Sequence, residues 1–290
     1  MFGTVWFIGS MSENGLISSA ALGFELVLRS YGVRVEIKAS SAELLRKAEQ
    51  TARKALLERL EIIESREFDQ SFAVYEDSSG TLYLQQNGER ITSDTVEPRF
   101  FRFFDSILRI TIGEHAKDWV FVHAGVVGWK GRAIVIPASS FRGKSTLVTE
   151  LVRNGAEYYS DEYAILDSDG LVHSFPRDVT LRFFEGGFHE KMVAPEMLGG
   201  REGTRPIPIG MVLLTEFADG AAWDPQTLSH GQGIIEMIPH TIPRRSNTEF
   251  SLKVLNTAVS DAIILKSPRG EAADFAAEIL TFFENYLNFG

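Results

Sequence analysis

The run Ala138-Ser139-Ser140-Phe141-Arg142-Gly143-Lys144-Ser145-Thr146 has the residue types and spacing of a phosphate-binding loop of the Walker A kind. In such a loop successive backbone N–H groups form a nest for anionic oxygens, Lys144 reaches the outer phosphates, and Ser145 can place its hydroxyl on a magnesium ion. Alanine stands where the first glycine is usual, a replacement the backbone tolerates if that position needs no positive φ. A second chemical feature follows: in Tyr158-Tyr159-Ser160-Asp161-Glu162-Tyr163-Ala164-Ile165-Leu166, two acids stand at the edge of an apolar strand. Asp161 and Glu162 could hold magnesium or its water shell, and Asp161 is the first choice to accept a proton from an attacking hydroxyl. On its own the pair would read as a solvated acidic turn. ATP with magnesium is the expected ligand, although no base-reading motif separates adenine from guanine.

The elements that must position these residues are legible around them. Ile134-Val135-Ile136-Pro137 is a β-rich run entering the loop, and Leu147 to Val152 is an amphipathic helix leaving it, stopped by Asn154-Gly155. Upstream, a strand from Trp119 turns at Lys130-Gly131; downstream, strands are expected at Ala164 to Leu166, Val179 to Phe183, Gly210 to Leu214 and Asp261 to Leu265, with a helix from Glu271 to Tyr286. Between Glu185 and Pro208 the Gly- and Pro-rich chain reads as a long loop, either a disordered surface excursion or a lid with hinges at Gly186-Gly187 and Gly199-Gly200. Before Pro98, which can open a helix with an aromatic face at Phe100, Phe101, Phe103, Phe104, Ile107 and Leu108, the chain reads as a small α+β unit. That unit has strands at Thr4 to Ile8 and Val33 to Ile37. A helix follows behind a Ser40–Glu43 capping box, with an apolar face running from Leu44 to Ile63, and then a β-meander from Phe72 through Asn87-Gly88.

Several of these residues resemble the catalytic domain of HPr kinase/phosphorylase. They are Val122-His123-Ala124-Gly125-Val126-Val127, the Lys130-Gly131 turn, Gly143-Lys144-Ser145, the helix ending in Arg153-Asn154-Gly155, and Ser160-Asp161-Glu162. A fainter match lies at Thr241-Ile242-Pro243-Arg244-Arg245-Ser246-Asn247. The resemblance, which covers about Trp119 to Leu181 well and the rest weakly, implies an α/β architecture with a P-loop catalytic domain of the HPr-kinase and phosphoenolpyruvate-carboxykinase kind over residues 96–290; the small α+β domain before it, over 1–95, is read from its own residues and does not resemble the family's N-terminal domain. The resemblance also implies that Lys144 binds phosphates, Ser145 binds magnesium, Asp161 is the base toward a serine hydroxyl, His123 tunes that acid, and Arg244 or Arg245 contacts the transferred phosphoryl group. Unaided, a histidine in an apolar strand reads as a packed core residue and two adjacent arginines as solvated. Glu162 and Thr146 stand where the family has aspartate and glutamate. The family's Glu-Ile-Arg-Gly signature is not found, so the closer likeness is to stand-alone HPr-kinase-like proteins. The expected activity is phosphoryl transfer from magnesium ATP to a serine on a protein or peptide. A nucleotide-binding regulatory module and an ATP hydrolase are the alternatives. The family's hexamers imply a homo-oligomer.

Composition narrows the classes. With 29 Lys plus Arg against 39 Asp plus Glu, the chain carries a formal charge of -10, which disfavours nucleic acid and anionic membranes as partners. It has no cysteine, which removes thiolate metal sites and cysteine nucleophiles and suits a cytoplasmic setting. The apolar stretch Gly15 to Leu28 contains Glu25 and lacks a cationic lead-in, so neither a signal peptide nor a membrane span is expected there.

Overall fold

The computed structural model describes residues 22–138, 143–184 and 186–289. The strand expected at Thr4 to Ile8 and the loop residues Ser139, Ser140, Phe141 and Arg142 lie outside the described residues.

The first sheet begins with β1 (Phe24–Ser30) and β2 (Val33–Ala39), a hairpin whose two turn residues, Tyr31 and Gly32, both take positive φ. That is the turn whose twist matches paired strands. Helix α1 (Ala42–Leu56) starts behind Ser41, whose Oγ accepts the Leu44 N–H at 3.2 Å, one residue later than the expected Ser40 box. It also ends sooner than expected: Leu57 turns to φ 54, and Glu61–Ile63 forms strand β3 on the edge of β1. The meander is present as β4 (Gln70–Glu76), β5 (Leu82–Gln86) and β6 (Glu89–Asp94). The strand order is β3-β1-β2-β4-β5-β6, with only the β2–β4 pair parallel; α1 supplies the crossover that a parallel pair requires.

Helix α2 (Glu97–His115) packs beside α1 and buries Phe100, Phe104, Leu108 and Ile112 in the core of this sheet, with Phe104 edge-on to Phe72 at 5.5 Å between ring centres. The same core continues into Phe121, Tyr163, Ile165 and Phe175, which belong to the second sheet. Apolar packing therefore runs across residue 96, where the start of the Pro98 helix suggested a division, and the two sheets share one interior. Fully burying each such side chain is worth roughly 1.5–3 kcal/mol, more than a single polar contact on the same surface.

The second sheet is built from β7 (Val120–Trp129), β8 (Arg132–Pro137), β9 (Glu157–Ser160), β10 (Tyr163–Leu166), β11 (Leu171–His173), β14 (Ile207–Phe217), β15 (Gln226–Thr227) and β16 (Ile263–Arg269). β12 (Val179–Phe184) and β13 (Phe188–Val193) stand apart as a two-stranded hairpin. Strands β8, β14 and β16 are mutually parallel, while β7 runs antiparallel between β8 on one side and β9 and β10 on the other. Helices α3 (Lys144–Arg153) and α6 (Ala272–Phe289) cover one face. Helices α4 (His230–Met237) and α5 (Thr248–Ala258) contribute Met237, Val254, Leu255 and Ala258 to the other. The result is an α/β fold with mixed sheets.

Part of the stretch expected to be an irregular loop is regular. Phe188–Val193 pairs with β12 residue for residue across Gly186-Gly187, and Pro195–Leu198 forms a short 3-10 turn ending at left-handed Gly199. Glycine content had masked the short strand, half of whose residues are polar. Among the described residues no helix is long and apolar enough to cross a membrane.

Candidate active site

His123, Ala138, Gly143 and Lys144 meet where β8 ends. The chain enters α3 through Gly143, its N-cap, at φ 77. A side chain there would be strained, and its Cβ would lie 2.7 Å from Nη2 of Arg269, so both backbone and space require glycine. Lys144 is the first residue of α3 and only 8% exposed. Its stem runs over Gly125 of β7, where a Cβ would stand 3.0 Å from Lys144 Cγ and 2.5 Å from Val148 Cγ2. Gly125 thus lets the start of α3 lie directly on the strand. Ala138 is buried at the end of β8, Ser145 is half-buried, and Thr146 is exposed in the first turn of α3.

His123 neighbours Lys144. It sits opposite Tyr163 in the β7–β10 pair, and its carbonyl accepts the Ala138 N–H at 3.4 Å. Lys144 Nζ is 3.3 Å from His123 Nε2. Burial first, and the Lys144 charge second, push this imidazole from 6.5 down to about 4. The ring is therefore neutral at pH 7, with Nε2 free to accept from the ammonium and its own proton on Nδ1.

The acidic turn is held by Ser160, which is fully buried and accepts the Glu162 and Tyr163 N–H groups on its Oγ at 3.0 Å each. The Ala124 N–H donates to the Glu162 carbonyl at 3.1 Å, tying the turn to β7. Asp161 is half-buried beside Tyr158, whose phenol is pushed up by burial and then by the Asp161 charge.

Glu162 has a different environment from the one expected. Its carboxylate closes on the Arg109 guanidinium, with Arg177 Nε at 4.0 Å from its second oxygen. Asp105 joins the same cluster, accepting from Arg109 at 2.7 Å and from Arg177 at 3.0 and 3.1 Å. Arg177 also donates to the carbonyls of Lys54 and Ala55 at the end of α1. Burial raises the Glu162 pKa, but Arg109, and after it Arg177 and Lys144, outweigh that and hold it below the usual carboxylate range. The magnesium role expected for Glu162 does not fit, because a divalent cation there would face two guanidinium groups at short range. Among the described residues no three His, Asp or Glu side chains are grouped to hold a metal. Ser145 and Asp161 are the remaining donors, a set that suits magnesium, which keeps several waters and takes phosphate oxygens rather than an all-protein cage.

The two arginines of the faint match separate. Thr241 bridges to Val122 of β7 and is fully buried, which brings its segment against the site strand. Arg244 is half-buried and donates to the Thr241 carbonyl at 3.0 Å, whereas Arg245 is exposed. His240, pushed down by burial and then by Lys144 and Arg244, lies close enough to feel both. Arg109, Arg177, His240 and Arg269 were not anticipated. Arg109 had only a weak signal: it follows Asp105 by four residues, an ion-pair spacing, off the apolar face of the aromatic helix. No protein-family model matches the chain, and no curated protein matches it.

Proposed function

We propose that the chain is a P-loop phosphotransferase of the HPr-kinase-like kind. In this reading it moves the terminal phosphoryl group of ATP to a hydroxyl, with a serine on a protein or peptide as acceptor. The observation that carries it is the placement of Lys144. A buried ammonium stands at the first residue of a helix that follows a central parallel strand, 3.3 Å from a neutral imidazole and beside the acidic turn. The amino end of a helix favours an anion, and ligands of such sheets gather at the carboxyl ends of the strands.

In this reading Lys144 and the first-turn N–H groups of α3 hold phosphate oxygens, and Ser145 and Asp161 would hold magnesium, which spreads the developing negative charge when bound. Asp161 orients the acceptor hydroxyl and takes its proton. His123, kept neutral, fixes the ammonium without adding a second positive charge. Glu162 positions Asp161 by anchoring the turn to Arg109 and Arg177. Arg244 faces the transferred group. The reaction needs geometry and charge neutralisation more than reactive side chains.

Incubation of the chain with γ-labelled ATP, magnesium and a lysate of its source cells tests this. A labelled serine on a protein or peptide is expected, and its loss in Asp161→Asn. Nucleotide binding without label transfer, or release of inorganic phosphate alone, would instead identify a regulatory module or a hydrolase.

A further inference from the structure

A cleft of about 440 Å³ lies between the β1–β2 turn and the turn that follows α1, and it shares no residue with the candidate active site. Its volume is that of a small-molecule site. Tyr31 lines it, with its ring edge-on to Trp119 and Phe121 at 5.4 and 4.9 Å between ring centres. A tyrosine at φ 48 is unusual, and such backbone strain persists only where the surroundings fix the residue. Arg59 closes the 3-10 turn Leu57–Arg59, and its guanidinium carbon stands 5.4 Å from the Trp119 ring centre and 5.9 Å from that of Tyr31. Its Nη2 donates to His173 Nδ1 at 3.2 Å. Arginine carries only donors, so Nδ1 is the acceptor and the imidazole proton is on Nε2, which lies 2.7 Å from Asp167 Oδ2. Asp167 is itself held by the Asp169 and Leu171 N–H groups. The Arg59 fork is therefore oriented by two aromatic rings and an imidazole rather than by a carboxylate.

The other charges of the cleft differ in their pairing. Arg29 is closed on Glu61 at 2.7 Å. Glu58 also lines the cleft, and among the described residues neither Glu58 nor Arg59 has an oppositely charged side chain within ion-pairing distance. As consecutive residues of one turn they do not face each other. One cleft thus presents an oriented guanidinium and a separate carboxylate, each open to a ligand. We propose that it is a second binding site, for a small zwitterion of the α-amino-acid class, with the ligand carboxylate on the Arg59 fork and its ammonium on Glu58. Arginine suits a carboxylate because its planar fork matches the two oxygens. A ligand with only a negative charge, inorganic phosphate included, would meet Glu58 and Glu61 unfavourably, and one with only a positive charge would leave Arg59 unmatched.

The test screens the wild-type chain against the standard L-amino acids at millimolar concentration by thermal unfolding, and measures the strongest binder by calorimetry beside its N-acetyl and carboxamide derivatives and inorganic phosphate. At least one amino acid should raise the unfolding temperature saturably. Each blocked derivative should bind about tenfold or more weakly, and so should the amino acid itself to Arg59→Met and to Glu58→Gln. If Arg59→Met does not fold, Glu58→Gln, at an exposed position, and the blocked derivatives decide. The inference is overturned if no amino acid binds, if phosphate binds in their place, if blocking either end leaves the affinity unchanged, or if either folded variant keeps wild-type affinity. Because the cleft is separate from Lys144, each of these outcomes leaves the phosphotransferase reading to its own labelled-ATP test.

Discussion

The Lys144 ammonium nitrogen lies 3.3 Å from Nε2 of His123, and that contact exists only while the imidazole is neutral. Its pKa in the folded chain is pushed down to about 4 by burial and then by Lys144, whereas the unfolded chain titrates near 6.5. Below about pH 6.5 the unfolded chain therefore takes up a proton that the folded one refuses. The stability this histidine contributes is complete above pH 6.5 and is lost as pH falls through 4. NMR of the imidazole should show a single neutral form, protonated at Nδ1, down to about pH 4. Denaturant unfolding should weaken from pH 6.5 to 4, and less so in His123→Asn. A ring titrating near 6.5 in the folded chain would contradict this placement.

Asp161 and Glu162 are adjacent, yet they should behave oppositely. Glu162→Ala leaves Arg109, whose side chain is 6% exposed, with Asp105, shared with Arg177, as its remaining carboxylate partner, and should cost about 1.5–3 kcal/mol of stability by urea unfolding. Asp161→Asn should leave stability near wild type and lower phosphoryl transfer by about 10²–10⁴-fold, with nucleotide affinity largely kept. Equal stability losses at the two positions would refute the division of roles.

Gly125→Ala tests how closely α3 is seated. The added methyl would meet Val148 Cγ2 at 2.5 Å and Lys144 Cγ at 3.0 Å, so overpacking should cost about 1–3 kcal/mol. Nucleotide affinity should fall in the same variant, because the stem of Lys144 is displaced together with the helix. Unchanged thermal stability would mean that strand and helix do not approach as described.

Much of this site was legible because strand, loop and helix are contiguous and each carries a local signal: the β-rich run before Ala138, Gly143-Lys144-Ser145, and the apolar spacing of Leu147 to Val152. The resemblance implied a place for His123 beside Asp161; its contact with Lys144 was not expected, since no local pattern tells a core histidine from a site one. The partners of Glu162 were not legible. Arg109 and Arg177 reach it from α2 and from the chain after β11, and long-range ion pairs leave no periodic trace. Helices α4 and α5 escaped notice because both are short, and α4 contains Gly231 and Gly233 inside an otherwise helical run. The end of α1 was misplaced because Leu60 and Ile63 continue its apolar spacing by coincidence while serving the strand that follows.

Arg244 and Arg245 should separate in kinetics as they do in space. Arg244→Ala, which removes the half-buried guanidinium beside His240 and Thr241, should lower transfer tenfold or more, in line with a charged hydrogen bond worth about 1.5–3 kcal/mol. Arg245→Ala, at an exposed position, should stay within about twofold of wild type. The reverse order in a labelled-ATP assay would place the wrong arginine at the site.

The central claim is that Lys144 and the amino end of α3 receive a triphosphate, and isothermal calorimetry of magnesium ATP with the wild-type chain and Lys144→Ala tests it most directly. The account predicts one saturable site in the wild type and an affinity lower by about tenfold or more in the variant. No binding heat from any purine triphosphate at millimolar magnesium, or equal affinities in the two proteins, would contradict it.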